Sequence, residues 1–255
     1  MKTEPAARTL YQLPISHYCE KSRWHLDAKG LTYRIENVFP GWNRVLGRRL
    51  GVLGTVPILV DQGTAIGDSA EIAHYLERTY PQPSLLPAAE HRGRASSISA
   101  YFDDRVGPDL RRYAYGGLLG VRPGAAAEAM IATYGPAARV LGKVMAPLIE
   151  YRLRSMYRIT PASIAASRET VLEGVDRLER EIEGDPGRYL VGGAFSTVDI
   201  GVAAMLAPLV GPPGTPWENV SGMPASLKEL QSSVRARPAG AWLLRLYREK
   251  RGGTR

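Results

Sequence analysis

Leu10-Tyr11-Gln12-Leu13-Pro14-Ile15-Ser16-His17-Tyr18-Cys19-Glu20-Lys21-Ser22-Arg23-Trp24 is the stretch on which the reading of this 255-residue chain turns. Residues 10–13 have the makings of a short strand, which Pro14 ends. From Tyr18 the pattern becomes helical, with Trp24, Leu26 and Ala28 apolar and Gly30 as the stop. Ser16, His17 and Tyr18 therefore fall where a strand hands over to a helix N-terminus. Unpaired backbone N–H groups and the positive end of the helix dipole meet there, which suits an anion. Serine is also a favoured N-cap, so Ser16 has a structural reading beside any chemical one.

Working outward, residues 33–38 alternate well enough for a second strand, and 40–54 read as irregular, rich in glycine and in arginine (Arg44, Arg48, Arg49). Thr55-Val56-Pro57-Ile58-Leu59-Val60-Asp61 is a strand with a proline at its entry. Gln62-Gly63 is a turn, 64–66 a return strand, and Asp68-Ser69-Ala70-Glu71-Ile72 opens a helix that runs to about Tyr80. The order is βαβββα. A proline-punctuated linker, 81–91, follows, and beyond it every periodic segment is helical: 93–115, 125–157, 161–183, 196–209, 224–234 and 238–251. The expected organisation is an α/β domain over 1–80 and an all-α domain over 92–255. Ser196-Thr197-Val198-Asp199, flanked by Phe195 and Ile200, resembles a capping box with its hydrophobic staple, a folding signal without chemistry.

Bulk properties narrow the function. With 44% hydrophobic and 23% charged residues the composition is that of a soluble globular protein. No apolar run approaches the roughly 18 residues of a membrane span, and residues 1–8 lack an apolar signal core, which reads against secretion. One cysteine rules out an intrachain disulfide and a cysteine-based zinc cluster, so a reducing cytoplasm without a bound metal is expected. The net charge of +8 is spread over many segments, with a small C-terminal excess (Arg245, Arg248, Lys250, Arg251, Arg255). It lacks the basic stripe with interleaved aromatics of a nucleic-acid binder and reads as a solvated surface that attracts small anions.

Four motifs in register make the chain resemble the cytosolic glutathione transferase superfamily, in its serine-type (theta- and delta-like) bacterial-style form. Tyr11 to Cys19 is similar to the strand, Leu-Pro, Ser-x-x-Cys signature, itself a relative of the thioredoxin and glutaredoxin redox motif with serine for the first cysteine. Thr55-Val56-Pro57 resembles the family's cis-proline motif, Asp68-Ser69-Ala70-Glu71-Ile72 its Glu-Ser-x-x-Ile with Asp in the first place, and 195–200 its helical capping motif. The resemblance implies a thioredoxin-like first domain that binds glutathione as co-substrate and a helical domain that carries the electrophile site. It makes Ser16 the residue whose hydroxyl keeps the glutathione sulfur ionised. Val56, with Pro57 turning its backbone, would pair with the cysteinyl unit. Asp68 and Ser69 would hold the γ-glutamyl end, and Arg48 or Arg49 is favoured over Arg44 for the glycyl carboxylate. Gly54 stands where the family often has histidine.

The implied activity is transfer of glutathione to an electrophile, in detoxification, by a homodimer with Asp103 and Asp104 near its seam. A glutathione-dependent isomerase or dehalogenase shares these residues, although the zeta-type isomerase spaces its serine and cysteine differently. A non-catalytic ligand-binding or interaction protein on the same fold, and thiol exchange through Cys19, are the rival readings. Gln12 occupies the place where a tyrosine activator would stand. For the second substrate the candidates are His17, Tyr113, Tyr115 and Tyr151, within an aromatic and cationic set that includes Arg111, Arg112, Arg154 and Tyr157. The 116–158 insert, broken at Gly116-Gly117 and Pro123-Gly124, is expected to supply a lid or extra helix over that pocket.

Overall fold

In the computed structural model, residues 8–220 and 222–251 are described. The strand Arg8–Gln12 (β1) buries Leu10 and Gln12 and occupies the interior of a four-stranded sheet. It pairs in parallel with Arg34–Asn37 (β2) and antiparallel with Ile58–Asp61 (β3), so that Leu10 faces Ile35 on one side and Leu59 on the other. Thr64–Gly67 (β4) returns antiparallel along β3. Their connection, Gln62-Gly63, has φ of 49° and 82°, the doubly positive backbone that matches the twist of a tight hairpin. The helices His17–Ala28 (α1) and Ser69–Thr79 (α3) pack on the sheet, burying Leu10, Leu26, Leu59, Ile72 and Leu76 together.

The expected βαβββα order holds with one addition. The 40–54 segment, read from sequence as irregular, contains the helix Asn43–Leu50 (α2), of which only Gly47 is buried. An apolar stripe does not hold this helix down. Close backbone approach does: a Cβ on Gly47 would lie 2.7 Å from the Cα of Gly54, and one on Gly54 would lie 2.9 Å from the Cα of Arg44. Gly54 is therefore required by packing at the position where a histidine is common in the resembling family.

The second half is helical throughout. Arg92–Tyr101 (α4) continues through a π turn, Phe102–Val106, into Gly107–Val121 (α5). Pro108 has no N–H for the carbonyl four residues back and its ring crowds that carbonyl, and the chain answers with the wider i→i+5 bond from Gly107 N–H to the Phe102 carbonyl. The rod then runs past Gly116-Gly117, which do not break it. The expected single helix over 125–157 is three: Ala125–Ile131 (α6), Pro136–Val144 (α7) and Ala146–Met156 (α8). Prolines at the starts of α7 and α8 interrupt what periodicity alone joins. Pro161–Glu181 (α9), Thr197–Leu206 (α10), Ala225–Arg235 (α11) and Pro238–Leu246 (α12) follow, with a terminal π turn over Tyr247–Arg251.

The main core gathers α4, α5, α9, α10 and α12 around Phe102, Val175, Ile200 and Trp242, and takes Trp24 from α1. Helix α10 is buried on every side from Val198 to Leu206. Helix α1 lies between the sheet and α10 and carries its charges inside: Lys21 pairs with Asp103 at 2.5 Å, and Glu20 with Arg23 at 2.6 Å and with Arg251 at 2.9 Å. Asp103 is engaged with Lys21 inside its own chain. One sequence expectation changes here: Arg245 and Arg251 of the basic tail are drawn inward, Arg245 donating to the Arg188 carbonyl at 2.9 Å. The Ser196–Asp199 capping box forms as expected. Asp199 accepts from the N–H and hydroxyl of Ser196 at 2.9 and 2.8 Å and from Leu190 N–H at 2.9 Å.

Candidate functional site

The site begins at the turn between β1 and α1. Ser16 N–H closes the turn onto the Leu13 carbonyl at 3.0 Å. Extended at φ −82° and ψ 122°, Ser16 caps α1, its Oγ accepting from Cys19 N–H at 3.3 Å. Capping uses an oxygen lone pair, so the hydroxyl proton is still available to an incoming acceptor. Beneath the turn, Arg23 donates to the Pro14 carbonyl at 3.3 Å and to the side chain of Gln12, whose amide in turn donates to Asn37 at 3.0 Å. Gln12 is thus a structural support of the turn.

In front of Ser16 opens a cavity of about 510 Å³, within the range of small-molecule sites. The first half of the chain contributes Leu13, Ser16, His17, Phe39, Trp42, Arg44 and Val56. The second half contributes Leu110, Arg111 and Tyr115 from α5, Met145 and residues of α8, and Trp217 and Met223 from the 211–224 loop. The insert therefore walls the cavity with helices, and Tyr134 anchors it by donating to the Val38 carbonyl at 2.8 Å. The ring of Tyr115 stacks on Tyr157 at 5.7 Å.

The residues expected from sequence divide by position. Ser16, His17, Val56 and Tyr115 line the cavity, and the Val56–Pro57 peptide bond is cis. His17 is 5% exposed. Burial, assisted by the positive charge of Arg111, lowers its imidazole to about 3 against a smaller opposing effect of the Gly107 carbonyl, so it stays neutral. Asp68 and Ser69 stand at the start of α3, outside the cavity lining. Asp68 caps the helix by accepting from Ala70 and Glu71 N–H at 2.7 and 3.3 Å, at a strained φ of 70°, and Ser69 is buried. Strain of this kind costs of order 1–3 kcal/mol and clusters at functional sites.

Other expected residues lie elsewhere. Arg48 and Arg49 are exposed on α2 and are not among the residues that line the cavity, whereas Arg44 of the same helix lines it. Tyr113 is buried between α5 and α11, and Tyr151 is 67% exposed on the outer face of α8. Cys19 is fully buried, and burial pushes its thiol up despite the hydrogen bond with Ser16. Arg112 is structural: it donates to Ser167 at 3.0 Å and to the Tyr157 carbonyl at 2.9 Å and pairs with Asp109. Arg154 donates to the Leu119 carbonyl at 3.2 Å. Trp42, Arg152 and Trp217 were not singled out from sequence. Trp217 sits in a loop without periodicity, and the tertiary fold alone brings it to the cavity. Among the described residues no group of three or more His, Cys, Asp or Glu side chains is placed to hold a metal ion, and no helix is long and apolar enough to cross a membrane.

Comparison with known proteins agrees with this fold. Residues 10–84 match the glutathione S-transferase N-terminal domain and residues 161–225 the glutathione S-transferase C-terminal domain. Glutathione S-transferase Z1 of Arabidopsis thaliana is 44% identical over 90 residues, 32% of this chain and 39% of that protein. A stringent starvation protein A homolog of Coxiella burnetii is 35% identical over 79 residues, 31% of this chain and 38% of that protein. The matches thus span about two fifths of the curated relatives' length. Among solved structures, a glutathione S-transferase of Ceriporiopsis subvermispora in complex with glutathione superposes with a TM-score of 0.63 at 18% identity, covering 96% of this chain and 97% of that one. Matched in both halves, in the order sheet first and helices second, the chain belongs to the cytosolic glutathione transferase superfamily.

Proposed function

We propose that the protein is a serine-type glutathione transferase in which the Ser16 hydroxyl donates to the sulfur of bound glutathione and holds it as thiolate. The observation that carries this reading is the placement of an N-cap hydroxyl, its proton uncommitted by the capping bond, at a helix N-terminus on the wall of a two-sided cavity. A free thiol titrates near ~8.5 and is only a few per cent ionised at neutral pH. Lowering it by about two units takes roughly 2.7 kcal/mol of preferential binding to the anion. One hydrogen bond to a charged acceptor, at about 1.5–3 kcal/mol, with the α1 dipole adding up to about 1 kcal/mol, is sufficient. Glutathione is then the nucleophile and Ser16 its activator.

The remaining contacts follow the same logic. The backbone of Val56 pairs with the cysteinyl unit as an added strand would. The Ser69 hydroxyl and the α3 N-terminus take the γ-glutamyl carboxylate, and Asp68 its ammonium. Arg44, the α2 cation that lines the cavity, takes the glycyl carboxylate in place of Arg48 or Arg49. Cys19, buried and raised in pKa, serves packing and not thiol exchange. The functional unit is a cytoplasmic homodimer.

The test is the ultraviolet absorbance of bound glutathione thiolate against pH in the parent, Ser16→Ala and Ser16→Thr. The parent thiol should titrate about two units below the free value, and Ser16→Ala should return it upward by about 1–2 units. Turnover near neutral pH should fall with it by about 10- to 100-fold, with glutathione still bound, and threonine should restore part of the effect. An unchanged titration in Ser16→Ala sinks the proposal. Glutathione binding without turnover on any electrophile would assign the chain to the binding-protein reading, and loss of activity in Cys19→Ser to the thiol-exchange one.

A further inference from the structure

The wall of the cavity is cationic, with Arg111 and Arg152 from the helical half and Arg44 from α2, and nothing anionic among the described residues answers it. Among the described residues that line the cavity, Arg44, Arg111 and Arg152 are charged and none is Asp or Glu. The neighbouring Arg112 is engaged with Asp109, Ser167 and the Tyr157 carbonyl. Arg111 has no carboxylate partner among the described residues. Its guanidinium lies over the ring of Tyr157 at 4.4 Å and near that of Tyr18 at 5.6 Å, and its Nε is buried without a hydrogen-bond partner. Beside it the Nε2 of His17, also buried, lacks a partner among the described residues, and this neutral imidazole adds no charge of its own. The two rings hold the guanidinium in place, and its terminal N–H groups, which make no hydrogen bond among the described residues, are left for a planar acceptor. A half-buried cation without a counter-charge is completed by an anion from outside. Around it, Leu110, Leu118, Met145, Ile149 and Trp217 form an apolar lining.

We infer that the second substrate is an organic anion: an apolar electrophile of aromatic size bearing a carboxylate, which Arg111 binds through its N–H edge. Arg152, at the exposed rim, adds to the attraction of such anions into the cavity. This rests on the thiol-activating reading of Ser16. For an aryl chloride the sulfur lone pair forms the C–S bond, the C–Cl bond breaks, and chloride leaves with its electron pair. No oxidant or reductant is needed.

A matched pair tests it: 4-chloro-3,5-dinitrobenzoate and its neutral analogue 1-chloro-2,6-dinitrobenzene, each rate divided by its uncatalysed rate with glutathione. The parent should prefer the carboxylate at least tenfold in normalised kcat/KM. Arg111→Gln should raise KM for the carboxylate roughly 10- to 100-fold, leave the neutral analogue within about twofold, and leave KM for glutathione unchanged. Arg111→Lys should recover part of the loss. Binding is read separately, without glutathione, by quenching of tryptophan emission with unreactive 3,5-dinitrobenzoate and with 1,3-dinitrobenzene, since Trp42 and Trp217 line the cavity. Equal preference for the two compounds in the parent, in both turnover and quenching, overturns the inference. So does a rise in glutathione KM with no change for the carboxylate, which would assign Arg111 to the tripeptide. Absence of turnover with both chlorides while 3,5-dinitrobenzoate still binds through Arg111 would overturn the thiol-activating reading and leave the anion site standing.

Discussion

Replacing Glu20 by glutamine exchanges one oxygen for an NH2 group, with almost no change of volume, at a point where the two ends of the chain meet. Glu20 is 3% exposed. Its Oε2 accepts from Arg23 Nε at 2.8 Å and its Oε1 from Arg251 Nε at 2.9 Å. Burial alone would raise its carboxyl, but Arg23 and Arg251 more than offset that and hold it below the usual range. Glutamine turns a donor toward one of the two guanidiniums and leaves both without their shared counter-charge. Removing one partner of a buried pair costs about 3–5 kcal/mol. Arg23 keeps Gln12 and the Pro14 carbonyl, and Arg251 keeps Asp27, so the lower end, about 3 kcal/mol, is expected.

Arg251→Gln should cost less, about 1–2 kcal/mol, because Glu20 retains Arg23. The double variant should fall short of the sum by about 1 kcal/mol or more. Urea unfolding at neutral pH, followed by the emission of the fully buried Trp24 and Trp242, gives all four corners of this cycle. A Glu20→Gln variant within about 0.5 kcal/mol of the parent, or strict additivity, would refute the reasoning. Because Arg23 also holds the Pro14 carbonyl, the same variant should loosen the Ser16 turn and raise KM for glutathione.

Two further outcomes follow from the caps. Asp68→Ala removes both acceptor bonds at the start of α3 and should cost about 1–2 kcal/mol. Asp68→Gly should cost less, since glycine adopts φ of 70° without strain, and equal losses in thermal unfolding would contradict this. Burial raises Asp199 to about 6 from an ordinary 3.8, against the opposing hydrogen bonds of Leu190 and Ser196. Its contribution is therefore complete below pH about 4 and lost as pH rises through about 6, some 3 kcal/mol in all. Buried His17 and His25, both lowered to about 3, work in the opposite sense, their contributions being lost as pH falls below about 6.5. Comparison with Asp199→Asn isolates the carboxyl: the stability difference between parent and variant should move against the parent from pH 4 to 7, and a constant difference would contradict it.

What could be read from residue order alone was local. Pro14 ending a strand, Ser16 opening a helix, the Gln62-Gly63 hairpin and the Ser196–Asp199 box are all short-range chemistry, and each stands where the pattern puts it. Prolines were legible as punctuation only in part: Pro136 and Pro147 split 125–157 into separate helices, and Pro108 widened a turn without ending the rod. Tertiary structure decided which charges are surface and which are not. Helix α1 reads as a polar helix, yet packing between the sheet and α10 buries Glu20, Lys21 and Arg23, each answered by a charge remote in sequence or a turn away. It also decided which of two adjacent arginines faces the cavity. Arg111 and Arg112 are equivalent in composition and in helical propensity; a rotation of about 100° along α5 points one at Asp109 and Ser167 and the other at an apolar space with no carboxylate among its described lining residues. Periodicity carries the burial of a face, but the partner opposite that face is set by chain segments tens of residues away, and the chemistry of a site depends on the partner.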